Sequence, residues 1–241
     1  MWIGTAIIIG KTRLAKINLT RRKRVWIGRM ILEIDRPLFV HTGIRRTVSA
    51  MESWGHPLAK DVKASLFGFF ASFAEGETDR LIFPAFNYDF GRTRKFDVQE
   101  DPVQVGSFPE FVRSHKSYVR SEIPFFSVLS KPDLGLLTNG VINPFGKASC
   151  FQKLVDADAS LMFTGAPLHS ITFIHYVEEM SGGPMYRYLK SFPGKIVSHG
   201  EERSCDFAMH VRPMGVHMDY DWARLSEELQ NEGIMRFSEK S

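Results

Sequence analysis

The residues with the clearest chemical potential are His175 and Glu178, in the run Thr172-Phe-Ile-His175-Tyr-Val-Glu178. On a helix, residues three apart share a face, so the carboxylate reaches the same side as the imidazole. An imidazole with one nitrogen held by a carboxylate is a general base suited to neutral pH. The same spacing also arises by chance on surface helices, and it invites a metal reading. Zinc helices more often use HExxH, which is absent here, and His210, His217 or Asp219 would have to complete the ligand set. Scattered histidines are more often exposed or hydrogen-bonded than ligating, so no metal is expected.

Other chemistries fail on spacing. Between Gly140 and Gly146 lie five residues, one of them Pro144, and Ala148 separates Lys147 from Ser149. A nucleoside-triphosphate loop needs four residues there and then Lys followed directly by Ser or Thr, so that reading is rejected. Cys150 has no protease signature around it, and no GxSxG elbow exists for a serine hydrolase. The Gly146-Lys147-Ala148-Ser149 turn still offers a glycine, a cation and a hydroxyl where a helix is expected to start. Such a turn can hold a phosphate, and Ser149 can equally be only the helix N-cap.

These residues need elements to hold them. Leu38-Phe39-Val40 reads as a buried strand ending at His41-Thr42-Gly43. Leu81-Ile82-Phe83 reads as a strand broken by Pro84, and Leu161-Met162-Phe163 as one closing at Gly165. Leu58, Val62, Leu66, Phe69, Phe70 and Phe73 mark one face of a helix that Gly76 can terminate. A further helix is expected from about Thr172, a strand at Ile196-Val197, and a final helix from Trp222 to Asn231 ended by Gly233. Strands alternating with helices point to an α/β fold with a central, mostly buried sheet flanked by helices. Reactive groups in such folds sit on loops past the strand ends, which singles out His41-Thr42, Asn87 to Arg92, and the approach to His175.

Size and composition narrow the class. The chain has 241 residues, 44% of them hydrophobic and 24% charged, and no internal repeat or linker. One domain spanning 1–241 is therefore expected. Its two cysteines, Cys150 and Cys205, build no disulfide framework and fit a reducing compartment. The apolar start, Trp2 to Gly10, precedes its positive charges and is shorter than the ~20 residues of a membrane span; a cytoplasmic protein without membrane attachment is expected. The sequon at Asn18 then reads as chance. The net charge of +4 concentrates at Arg21-Arg22-Lys23-Arg24, near Lys11, Arg13 and Lys16. No nucleic-acid-binding signature accompanies that run, so no nucleic-acid partner is expected, while a homo-oligomer stays open.

In combination the motifs are more specific. Phe96-Asp97-Val98, Pro102, Gly106, Glu110 and Arg113 stand in the order FDVxxxPxxxGxxxExxR. Arg120-Ser121, Pro124, Ser127 and Phe145-Gly146-x-x-Ser149 follow, and then Thr172-x-x-His175-x-x-Glu178. From about Leu38 to Phe192 this resembles the aminoglycoside 3-N-acetyltransferase family. The resemblance implies that family's own α/β fold, acetyl-CoA or another acyl-CoA as co-substrate, and an amine on a sugar as acceptor. It implies His175 as base, Glu178 orienting it, and direct transfer with no acyl-enzyme. His41, Thr42, Gly43, Gly146, Lys147, Ser149 and Thr172 are then the expected donor contacts.

The acceptor side draws on Asp89, Arg92, Asp97 and Arg120, where Arg94, Lys95 and Arg113 tip the local charge toward cations. That balance favours a phosphate-bearing acceptor, and a nucleotide-linked 3-amino sugar is the preferred one. The segment Pro184 to Phe192 resembles family members acting on nucleotide-linked amino sugars. An aminoglycoside antibiotic is the runner-up. Two departures bear on this choice: Ile123-Pro124 stands where the family often has His-Pro, and Thr42-Gly43 where it has paired serines. A non-catalytic carbohydrate- or nucleotide-binding protein on the same fold is the rival outside enzymes.

Overall fold

The computed structural model describes residues 6–9, 26–27, 30–31, 36–74, 78–114, 117–136, 140–215 and 217–237. The basic run Arg21 to Arg24, with Lys11, Arg13, Lys16, the Asn18 sequon and the helix stop Gly76, lies outside the described residues.

In chain order the first elements are β1 (Ala6–Ile9), β2 (Trp26–Ile27), β3 (Met30–Ile31), β4 (Leu38–Thr42), α1 (Ile44–Ser53) and α2 (Val62–Phe73). Then come β5 (Leu81–Pro84), α3 (Phe90–Thr93), β6 (Lys95–Asp97), α4 (Ser107–Arg113), β7 (Val119–Arg120) and β8 (Val128–Ser130). The chain continues through α5 (Cys150–Asp156), β9 (Ser160–Thr164) and α6 (Phe173–Met180). It ends with β10 (Tyr188–Ser198), β11 (Glu201–Val211), α7 (Trp222–Asn231) and β12 (Met235–Phe237). Two compact units result, with a boundary inside β5.

The first unit draws its described residues from 1–82, 157–170 and 221–241. β4 runs parallel to β9, from Leu38 opposite Ser160 to Thr42 opposite Thr164, and parallel to the start of β5. Every residue of β9 is buried, as are Leu38, Phe39 and Val40. Continuous apolar runs of this kind suit parallel strands covered on both faces. β1 pairs antiparallel with β9 and with β12, while β2 and β3 form a short ribbon of their own. α2 begins at Val62, because Asp61 accepts hydrogen bonds from the amides of Lys63 and Ala64 at 3.0 Å each. Leu58, expected as part of the helix, therefore precedes it. Leu66, Phe69, Phe70 and Phe73 form its buried face, as their spacing predicts.

The second unit takes its described residues from 83–156 and 171–220. The end of β5 pairs antiparallel with β8, which pairs antiparallel with β7. Pro84 was expected to break β5, yet it remains in the strand opposite Val128. β10 and β11 form a long hairpin, and β6 joins it parallel to β10. His199 (φ 52°) and Gly200 (φ 82°) make its two-residue turn, the left-handed pair that matches strand twist. Only Ile196-Val197 stood out in the sequence, because most of the remaining β10 side chains are exposed and Pro193 and Gly194 interrupt the pattern. Gly194 is needed there: a Cβ would stand 2.5 Å from the carbonyl oxygen of Arg94. Phe125 packs against Phe90, Phe192 and Phe207, so the hairpin is anchored by aromatic contacts.

A close backbone crossing closes the first unit beside β4. The Gly43 amide donates to the Thr164 carbonyl at 2.9 Å. The Thr47 hydroxyl donates to the same carbonyl at 2.7 Å and lies 2.9 Å from the Thr42 hydroxyl. A Cβ on Gly43 would stand 2.5 Å from the Gly165 carbonyl oxygen, and Gly165 itself has φ 65°. Neither neighbour is a flexible side-chain tip that can swing away. Gly43→Ala should therefore cost about 1–3 kcal/mol, the range for overpacked sites, read as a lower urea midpoint at unchanged slope.

Candidate active site

α6 carries both members of the expected pair. His175 Nδ1 stands 3.2 Å from Glu178 Oε2, with the two side chains 24% and 16% exposed. The helix begins at Phe173, and the Thr172 carbonyl accepts from the His175 amide at 3.1 Å. Tyr176, about a quarter-turn round the helix from His175, is buried and donates from its hydroxyl to Gln152 at 2.7 Å. That anchor holds α6 against α5 and leaves the His175 face toward the site.

Glu178 is held by more than histidine. Its Oε1 accepts hydrogen bonds from the Tyr186 and Tyr220 hydroxyls, the latter at 2.7 Å, and the two hydroxyls lie 2.8 Å apart. Arg187 places Nη2 at 3.3 Å from His175 Nδ1, 3.4 Å from the Tyr220 hydroxyl and 3.8 Å from Glu178 Oε2. Burial works to raise the Glu178 pKa, but the tyrosines, His175 and Arg187 outweigh it and lower it. An ionised carboxylate only accepts, so Nδ1 is assigned as the protonated nitrogen donating to Glu178. Arg187 only donates and contributes its charge. The lone pair then lies on Nε2.

His175 is also pushed toward its neutral form. Burial lowers its pKa first, and the Arg187 charge lowers it further, against the opposing pull of Glu178. Part of that burial is aromatic: the Phe145 ring lies 5.4 Å from the imidazole and the Phe126 ring 6.5 Å. A neutral, oriented imidazole with a free lone pair can accept a proton from an ammonium or an attacking amine.

The expected donor residues divide between the two units. In the first, His41 stacks on Phe163 at 4.7 Å and meets Phe39 edge-on. Burial lowers its pKa to about 4, and its Nε2 is buried with no hydrogen-bond partner. Thr42 and Gly43 form the crossing beside Thr164. In the second unit, Ser149 is fully buried and accepts from the Gln152 amide at 3.1 Å, so its hydroxyl caps α5. Gly146 lies against Asn143, Lys147 is exposed, and Thr172 is half-buried at the start of α6.

The expected acceptor residues all lie in the second unit. Arg120 is buried, with its guanidinium over the Phe96 ring at 4.7 Å. It donates to the Ser127 hydroxyl at 3.0 Å, the Asp101 carbonyl at 2.5 Å and the Ala85 carbonyl. Asp97 accepts from the amides of Gln99 and Glu100 and so forms a turn. Asp89 accepts from the Gln104 side chain at 2.7 Å, and Arg92 is exposed 3.7 Å from it. Arg113 is bound to Glu110 and the Gln99 carbonyl. Much of the cationic excess visible in the sequence is thus engaged in holding loops. Sequence reasoning missed Tyr220 and Phe126, which join the site only through folding. The second His–Glu contact, His210 with Glu179 at 2.7 Å, has no sequence spacing to reveal it.

Comparison with known proteins gives the family and the fold. The family model for aminoglycoside 3-N-acetyltransferases matches residues 81–239. No curated protein matches the sequence. Among solved structures, the AAC-IIIb enzyme in binary complex with coenzyme A is similar over 84% of this chain and 80% of its own, at 18% identity and TM-score 0.64. Aminoglycoside acetyltransferase AAC(3)-Xa is similar over 86% and 82%, at 16% identity and TM-score 0.64. The YokD protein from Bacillus subtilis is similar over 86% and 88%, at 14% identity and TM-score 0.61. These likenesses show the fold. The family match covers most of the chain, including α6 and every residue that touches Glu178: the chain belongs to the aminoglycoside 3-N-acetyltransferase family, enzymes that transfer an acyl group from an acyl-CoA co-substrate to an amine.

Proposed function

We propose that this enzyme acylates the amino group of a nucleotide-linked 3-amino sugar in the cytoplasm, with residues 1–241 working as one acyltransferase domain. The observation that carries the chemistry is the His175–Glu178 contact, reinforced by Tyr186 and Tyr220. His175 Nε2 takes the proton from the acceptor amine as its nitrogen attacks the thioester carbonyl. The C–N bond forms, the C–S bond breaks, and the thiolate of coenzyme A leaves, recovering a proton from the imidazolium. Direct attack needs no residue to carry the acyl group.

The acceptor class follows from charge. Arg187 lies beside His175, its Nε is buried with no hydrogen-bond partner, and Arg212 adds to the positive field on the imidazole. A polycationic antibiotic meets repulsion there, whereas a diphosphate is attracted. Asp89 and Arg92 line the acceptor approach in this reading, and Arg120 and Asp97 brace the loops behind them. On the donor side, Lys147 beside Gly146 meets a coenzyme A phosphate, and Thr172 at the start of α6 adds a hydroxyl within the same unit. Ser149 supports that turn as the cap of α5. Cys150 and Cys205 form no disulfide, which suits a reducing compartment, and no helix among the described residues is long and apolar enough to cross a membrane.

Incubation with acetyl-CoA and a panel of amino sugars, read by mass spectrometry, tests the acceptor assignment. Efficient turnover of kanamycin-like substrates with none of nucleotide-linked sugars would overturn it. His175→Ala should lower kcat by ~10²–10⁴-fold with acyl-CoA binding retained. Glu178→Gln should lose less; the reverse ranking would exchange their roles. Lys147→Ala should raise KM for acetyl-CoA and spare the KM of the amine, since it touches only the donor in this reading.

The pH profile offers an independent check. A base is active when deprotonated, so kcat/KM should rise through the His175 pKa, with the acid limb below the ordinary 6.5 because burial and Arg187 both lower it. Arg187→Met removes one of those causes and should move that limb to higher pH. An unmoved limb would show that His175 does not report the rate-determining proton.

A further inference from the structure

Tyr88 is 48% exposed, yet the backbone that presents it is pinned from every side. The Asn87 amide donates to the Phe125 carbonyl at 3.2 Å, and the fully buried Asn87 side chain donates to the Pro102 carbonyl at 2.9 Å. The Tyr88 amide donates to Gln104 Oε1 at 2.7 Å, and the Asp89 amide to Asn87 Oδ1 at 2.9 Å. Gln104 is itself fixed, through its amide to the Phe86 carbonyl and its side chain to Asp89. Arg120 braces the same loop from behind at Ala85 and Asp101. A large aromatic ring held rigidly at the surface loses the hydrophobic gain of burial and loses little further entropy when a ligand lands on it.

The ring also has a direction. It lies 6.1 Å from Phe126 and 6.5 Å from Phe86, edge to face in both cases. Phe126 then lies 6.5 Å from the His175 imidazole and 4.7 Å from Phe145. An aromatic strip thus runs from the half-exposed Tyr88 through Phe126 to the catalytic histidine.

We infer that Tyr88 and Phe126 form a stacking subsite for the nucleobase of the acceptor, with the linked amino sugar reaching back to His175. The inference rests on the nucleotide-linked reading of the acceptor and adds the residues that select it. Base stacking on an aromatic side chain is tolerant of base identity, so the site distinguishes nucleotide-linked from free amino sugars more than one base from another.

The test is calorimetric binding of uridine diphosphate and thymidine diphosphate to the full chain saturated with coenzyme A, which keeps the donor site filled. Binding is expected to weaken by about ten-fold in Tyr88→Ala and to survive largely in Tyr88→Phe, which retains the ring. In turnover, Tyr88→Ala should raise KM for a nucleotide-linked amino sugar while the KM for acetyl-CoA stays unchanged. No binding of either diphosphate by the CoA-saturated parent protein would overturn the subsite. So would equal binding by parent and Tyr88→Ala, or a rise confined to the KM of acetyl-CoA, which would assign the ring to the donor's adenine. Diphosphate binding that depends on Tyr88, with no turnover of any nucleotide-linked amino sugar, would retain the subsite and overturn only the acceptor assigned above.

Discussion

A half-buried carboxylate must be matched by donors, or the fold must leave it protonated, and this requirement organises the surroundings of Glu178. Glu178 meets it with two tyrosine hydroxyls on one oxygen and the imidazole on the other, beside a guanidinium. These four partners come from three places in the chain: α6, the segment entering β10, and the segment entering α7. Satisfying one carboxylate therefore sets where three segments converge. The tyrosines fill Oε1, so the remaining lone pairs of Oε2 face His175, and the tautomer of the imidazole follows from an acceptor count.

The same convergence controls charge. Burial and then Arg187 disfavour an imidazolium at His175, while the two tyrosines, His175 and then Arg187 hold the Glu178 pKa down. Both conditions are needed for a base that is oriented yet unprotonated. The arrangement also places a positive field on the imidazole, from Arg187 and Arg212. Phe126 and Phe145 supply the low-dielectric wall in which these charges act strongly.

Support for the site is largely rigid backbone. Arg120 spends its guanidinium on the Ala85 and Asp101 carbonyls and the Ser127 hydroxyl, which makes it part of the scaffold under the Asn87 to Asp89 loop. A buried arginine with such partners is costly to move, so the loop it braces keeps one conformation. Within the first unit, the Gly43–Gly165 approach is tight in its own right, because two backbones meet where no side chain fits. Residues whose types suggest binding thus also carry structural duties, and Ser149 as a helix cap is another.

What the sequence by itself determined is what depends on near neighbours. The alternation of strands and helices is set by local periodicity. The burial of β4 and β9 follows from continuous apolar runs, and the meeting of His175 with Glu178 follows from helical geometry. α7 spans Trp222 to Asn231, the bounds its pattern indicates. Tertiary structure decided the rest. The β10–β11 hairpin is stabilised by cross-strand partners and by Phe125, Phe192 and Phe207, while its exposed charged residues hide the two-residue period. Tyr220 lies 42 positions from Glu178, and no spacing rule links them. Whether an arginine serves a ligand or a loop depends on which carbonyls surround it once the chain has folded. Spacing along one helix reveals which groups can meet. Long-range hydrogen bonds, which no local pattern encodes, decide how those groups are protonated and what field they work in.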